Sequence, residues 1–233
     1  MSTSIPAEHA TPSRIGWPEI GVGLTVTVVL LAVGVVGFLA IPPEHAALIG
    51  LAQYAVSGLA PLGGFLAAVT LRVRDVKAFG LRRVSGKWLL VAVAVGIGVV
   101  GLKGLLTSLM MALFPDMAHV QANYQAAATG GLVALLAALV FGAVLTPVGE
   151  ELLFRGVLTN ALSRYGAWVA VLVSSAVFAL AHGINHALPA AFVVGVTSAL
   201  LLRRTRSLWP GVVVHSVNNL SAVIIPAVLV AAA

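Results

Sequence analysis

Six ionisable side chains and one amide interrupt otherwise apolar stretches of this chain: Lys103, Glu150, Glu151, Arg155, His182, His215 and Asn219. On insertion scales a charge at bilayer depth costs roughly 2.5–3.5 kcal/mol, so such a residue normally has a partner or a task. Glu151 and Arg155 are four residues apart with the acid first, the favourable order for a helical ion pair. Glu150 points about 100° away from that pair and is the carboxylate left free. His215 and Asn219 also stand four apart and share one helix face. A carboxylate, two imidazoles and an amide in a sheltered cavity suit hydrolysis. Glu150 would take a proton from a water that His182 holds, and His215 and Asn219 would donate to a developing oxyanion. The sequence has no Gly-x-Ser-x-Gly and no His-Glu-x-x-His. His182 and His186 form another i,i+4 pair, a spacing that suits a metal, although His186 lies beyond Gly183 and nearer the surface. Lys103 is expected to face a polar groove or a carbonyl and has no assigned role.

The elements that must position these residues follow from composition. Of 233 residues, 60% are hydrophobic and 9% charged, and the mean hydropathy is +1.08. A soluble domain carries about 25% charged residues, and disorder requires low hydrophobicity. Outer-membrane strands would alternate apolar and polar residues, and these runs do not. The expected fold is all-α: a polytopic transmembrane helical bundle of seven or eight spans. There is no cysteine, which excludes disulfides and thiolate metal sites.

Residues 1–19 read as a polar N-terminal tail. Residues 20–130 read as N-terminal transmembrane helices, three spans with a basic loop at 72–87. The first run, from Ile20 to Ile41, is too long for a signal-peptide core and is expected to stay. The second holds Pro61 as a kink, and the third runs from Trp88 to Phe114. Residues 131–233 read as the catalytic helical core. Segments 72–87, 155–164 and 203–206 hold eleven of the thirteen Lys and Arg residues. Alternation of seven spans puts all three on one side, and the positive-inside rule makes that side cytoplasmic, with the N-terminus. These positives suit topology and anionic lipid rather than nucleic acid. The expected location is the cell membrane.

Depth in the membrane connects distant residues. If 132–165 and 167–182 form a helical hairpin turning at Gly166, Glu150 and His182 each lie sixteen residues from the turn. At about 1.5 Å per residue both stand about 24 Å from it, at one height. His215 is only nine residues beyond Arg206. A straight helix leaves it too low, so Ser207-Leu-Trp-Pro-Gly211 is expected to be extended.

These residues also carry a resemblance. Glu150-Glu151-Leu-Leu-Phe-Arg155 fits Glu-Glu-x-x-x-Arg, and Phe178-Ala-Leu-Ala-His182 fits Phe-x-x-x-His. Phe192-Val-Val-Gly195 fits a weaker Phe-x-x-Gly element, and His215-Ser-Val-Asn-Asn219 fits His-x-x-x-Asn. In order and separation they resemble the CPBP intramembrane protease family, related to the type II CAAX prenyl endopeptidases and the Abi group. The resemblance covers about residues 130–230. It implies an endopeptidase acting in or beside the membrane on a membrane-associated protein or peptide, with or without a lipid modification. It implies that Glu150 and His182 activate water, that His215 and Asn219 hold the oxyanion, and that Glu151, Arg155 and Phe178 support them. No cofactor is expected. Were the chemistry metal-dependent, zinc would be the metal and Glu150, His182 and His215 its ligands. The alternative is a non-catalytic scaffold or bacteriocin-immunity-type protein of the same fold. A proton-coupled transporter would predict an inverted repeat, and none is evident.

Overall fold

The computed structural model describes residues 15–116 and 121–233, and every regular element among them is helical. We number the helices α1 (Trp17–Leu39), α2 (Ala46–Ala68, extended by a π-turn at Val69–Val73), α3 (Gly86–Leu113), α4 (Ala122–Thr129), α5 (Leu132–Tyr165), α6 (Ala167–Ala181), α7 (Leu188–Thr205) and α8 (Trp209–Ala231). Among the described residues six of these, all but α4 and α6, are long and apolar enough to cross a membrane. The fifteen-residue α6 is also apolar but shorter, so the count of six spans plus α6 is roughly that of the seven or eight expected. Large apolar side chains on α1 and α3, such as Val36, Leu39, Leu90 and Leu105, stay exposed. In water such a surface would aggregate; in hydrocarbon it is the solvated face. The chain is a multi-pass membrane protein.

Small residues set how closely the helices cross. A Cβ on Gly149 of α5 would come within 2.1 Å of the Gly58 carbonyl oxygen on α2, so the two backbones touch at that point. Gly195 of α7 lies against Ser175 of α6 in the same way, a notional Cβ meeting the Ser175 Cβ at 2.8 Å. This is the small-residue packing on which membrane helices rely. The turn between α5 and α6 is Gly166, at φ +113°, a conformation that a side chain would oppose.

One end of the bundle is tied by polar contacts. Glu19 accepts from Gly16 N at 2.7 Å and from Arg72 Nε and Nη2, each at 2.9 Å. Trp17 donates to the Tyr165 hydroxyl at 2.8 Å, and Arg164 donates to the Ile15 carbonyl. Ser207 Oγ donates to the Arg82 carbonyl, and Leu208 N to the Gly80 carbonyl.

Three expectations change here. Helix α1 begins at Trp17, and Ile15 and Glu19 are buried, so the polar tail ends before residue 15. Segment 207–211 is not extended: α8 starts at Trp209 with Pro210 in its first turn, where a missing N–H costs nothing. Arg155, which the charge pattern placed with the cytoplasmic loops, is only 1% exposed and lies inside the bundle. His9 and His119 fall outside the described residues. The polar stretch after Phe114 contains the short α4, with Ala127 and Ala128 buried.

Candidate active site

Helix α5 is not a regular α-helix. Its α-helical turns are interrupted by π-helix at Phe141–Leu145 and again at Glu151–Thr159, and Glu150 stands at the junction. Such turns are rare and concentrate at functional sites. Each ends at a threonine whose hydroxyl bonds the carbonyl five residues back, Thr146 to Phe141 and Thr159 to Phe154, both at 2.9 Å. A wider turn presents more side chains inward. Every residue from Glu151 to Thr159 is buried.

Glu151 is fully buried. Its Oε2 lies 3.3 Å from Arg155 Nε, and its Oε1 lies 3.2 Å from His215 Nδ1. A carboxylate only accepts, so Nδ1 of His215 carries the proton in that bond and Nε2 is turned to Glu150 Oε2, at 3.5 Å. Helix α8 comes this close because residue 211 is glycine. A Cβ there would stand 2.8 Å from Glu151 Oε2 and 3.1 Å from the Ser198 side chain.

His182 is the residue on which α6 ends. Fifteen residues at about 1.5 Å each give about 22 Å, short of the roughly 30 Å hydrocarbon layer, so the helix stops inside the bundle. Gly183 at φ +81° turns the chain, and Asn185 fastens the turn, donating to the His182 carbonyl at 2.6 Å and accepting from Ala187 N at 2.8 Å. The Nδ1–H of His182 donates to the Phe178 carbonyl at 2.9 Å. Its Nε2 stands 4.0 Å from Glu150 Oε2, a separation that a water can bridge. His186 lies beyond this turn and is buried, so the helical i,i+4 relation with His182 is lost. Among the described residues no three His, Asp or Glu side chains are disposed to hold a metal ion.

Phe178 connects the cluster. Its ring is 4.7 Å from that of His182, 5.5 Å from that of His215 and 5.1 Å from that of Phe154. The Arg155 guanidinium lies over it, 4.2 Å from the ring centre. This cation–π contact holds a guanidinium whose nitrogens, although buried, make no hydrogen bond. Asn219, one turn beyond His215, donates from Nδ2 to the Gly142 carbonyl at 3.0 Å and accepts at Oδ1 from Asn218 at 3.1 Å. Phe192 and Gly195 are packing residues on α7, Gly195 against Ser175.

Sequence reasoning placed Glu150 and His182 at one height but missed three partners. Glu151 holds His215 as well as Arg155. Asn185 pins His182; its only signal is the Gly183–Asn185 turn pattern. Tyr124, on α4, comes near Glu150. Burial raises its phenol above the ordinary value, a bond with Ser57 opposes this, and the charge of Glu150 adds to it. Tyr124 packs on Tyr54 with ring centres 4.6 Å apart.

Residues 131–221 match the family model described as type II CAAX prenyl endopeptidase Rce1-like. No curated protein and no solved structure matches the chain. The matched segment runs from the start of α5 through Asn219 and takes in all four motifs, so residues 131–221 of this membrane protein are similar to the Rce1-like type II CAAX prenyl endopeptidase domain.

Proposed function

We propose that the protein is an intramembrane endopeptidase that hydrolyses a peptide bond with a water activated by Glu150. The observation that carries this reading is the convergence of Glu150, His182 and His215 from three separate helices, with Glu150 Oε2 4.0 Å and 3.5 Å from the two Nε2 atoms. His182 donates from Nδ1 to a carbonyl, which leaves the Nε2 of the neutral ring as an acceptor. Glu150 and His182 can therefore take one O–H each from a single water and aim its lone pair at the scissile carbonyl.

In the step that follows, the water oxygen bonds to the carbonyl carbon and its proton passes to Glu150. The carbonyl π electrons move onto oxygen. Asn219 and the Nε2–H of a protonated His215 stabilise that oxyanion. Glu150 then delivers the proton to the peptide nitrogen as the C–N bond breaks, releasing a carboxylic acid and an amine. Glu151 orients His215 through Nδ1 and is itself balanced by Arg155, while Phe178 packs the three together.

The preferred substrate is a membrane-associated peptide or protein, with or without a lipid group. Glu150→Gln keeps the shape but not the base, so cleavage in purified, detergent-solubilised protein should fall by at least 10² to 10⁴, the usual contribution of a general base. Unchanged cleavage would reject the assignment. The proposed mechanism uses no metal, and activity should then survive a strong chelator. Loss on chelation with recovery on adding zinc would make Glu150, His182 and His215 metal ligands instead. A scaffold or immunity role predicts that function persists in the Glu150→Gln variant.

A further inference from the structure

Helices α2 and α4, both outside the matched segment, bring a second set of polar side chains toward Glu150. The two helices lie so close that a Cβ on Gly50 would stand 2.0 Å from the Asn123 carbonyl oxygen. Tyr124 packs on Tyr54, and its hydroxyl bonds Ser57. Gly50, Gln53 and Ser57 fall at i, i+3 and i+7 on α2, one stripe of that helix. The face of α2 that meets α4 therefore carries an amide and a hydroxyl, with the Tyr124 phenol joined to the second.

This patch stands beside the proposed base. Ser57 precedes Gly58, whose carbonyl touches Gly149, the residue before Glu150. The charge of Glu150 reaches the Tyr124 phenol. The Tyr54 ring closes on Gly142, where a Cβ would be 2.7 Å from it, and the Gly142 carbonyl is the one that holds Asn219. The patch is also incomplete in itself. Gln53 Oε1 is buried and accepts no hydrogen bond among the described residues. A buried acceptor left alone destabilises the free protein, and hydrocarbon has no donor to offer it.

A peptide unwound for attack brings what the patch lacks. Its N–H and C=O groups have lost their helical partners, and at membrane depth only protein or an enclosed cavity can satisfy them. An amide oxygen accepts from an N–H, and a hydroxyl donates to a C=O. We propose that Gln53, Ser57 and Tyr124 form a subsite for the main chain of the substrate, Gln53 Oε1 accepting an N–H near the scissile bond and the Ser57–Tyr124 hydroxyl pair donating to a neighbouring C=O. This rests on the peptidase reading above and adds to it what is recognised: an extended peptide segment, held by its backbone rather than by one particular side chain.

The test uses the full chain in nanodiscs and a set of peptides in which each backbone N–H, except that of the scissile bond, is replaced in turn by an ester oxygen. In wild type one such ester should lower kcat/KM by about 2- to 10-fold, the scale of one neutral hydrogen bond, mostly through KM. Gln53→Leu should treat that ester and the parent amide alike. Its melting temperature should hold or rise, because an unsatisfied buried acceptor has gone. Tyr124→Phe keeps the ring on Tyr54 and should raise KM more than it lowers kcat. The proposal is overturned if no ester is sensitive in wild type, or if the sensitive ester costs Gln53→Leu as much as it costs wild type. A lowered melting temperature with KM intact in Gln53→Leu would also overturn it and make the residue structural. Affinities of the same peptides for Glu150→Gln, with and without Gln53→Leu, keep the two readings apart. An ester penalty on binding that Gln53→Leu removes, without turnover by wild type, would sink the peptidase and keep the subsite.

Discussion

Two carboxylate–guanidinium pairs in this molecule have the same chemistry and opposite circumstances. Glu19 and Arg72 meet in parallel, both bonds 2.9 Å long, with Gly16 N adding a third donor and with the Arg72 side chain 57% exposed. Glu151 and Arg155 are both buried, 3.3 Å apart, and the guanidinium nitrogens lack hydrogen bonds. The first pair is satisfied locally and fastens the start of α1 to the end of α2. The second is shared: Glu151 is drawn to His215 and Arg155 lies on the Phe178 ring. A pair that only holds helices together can optimise its own geometry, whereas one that also orients an imidazole cannot.

The contrast breaks most visibly at Arg155. Arg155→Ala removes the guanidinium beside the buried Glu151 and leaves it only the His215 Nδ1–H; breaking a buried pair in this way typically costs about 3–5 kcal/mol. A strongly lowered melting temperature with loss of cleavage is expected, and a stable, active variant would show the pair to be idle. Asn219→Ala should lower kcat by about 10² to 10³, with the melting temperature nearly unchanged, as measured by initial rates beside thermal unfolding. Gly211→Ala puts a methyl group against Glu151, and a displacement of about 1 Å in such a site can cost on the order of 10²-fold. A fall of that order, without loss of fold, would place the sensitivity in the Glu151–His215 contact. Glu19→Gln is the control at the other pair: a slight drop in melting temperature with cleavage rates unchanged.

Much of the fold could be read from hydropathy, because apolar runs of about twenty residues have few other uses. The shared height of Glu150 and His182 followed from counting to Gly166, which is a turn at φ +113°. His215 was harder. Its helix was expected to begin late, after an extended 207–211, but it begins at Trp209. Equal heights for Glu150 and His182 require regular α-helical rise along the whole of α5. The two π-turns, with wider i→i+5 closures, break that regularity, and a 3.6-residue period does not reveal them. Helix α4 escaped because it is short and polar. The Glu151–His215 contact escaped because an i,i+4 acid–base pair appears complete in itself, and nothing in one helix discloses which neighbour will share its acid.

The crossing of α2 and α5 has a practical consequence. Gly58 belongs to the half of the chain that the family match does not reach, yet its carbonyl presses on the residue immediately before Glu150. A fragment cut to residues 131–221 would lose that buttress and unveil a bare backbone groove beside the proposed base. Attempts to graft or minimise this protein should therefore keep α2. A bulkier residue at position 58 or 149 should behave like a mutation in the reaction centre itself, although neither glycine has any chemistry of its own.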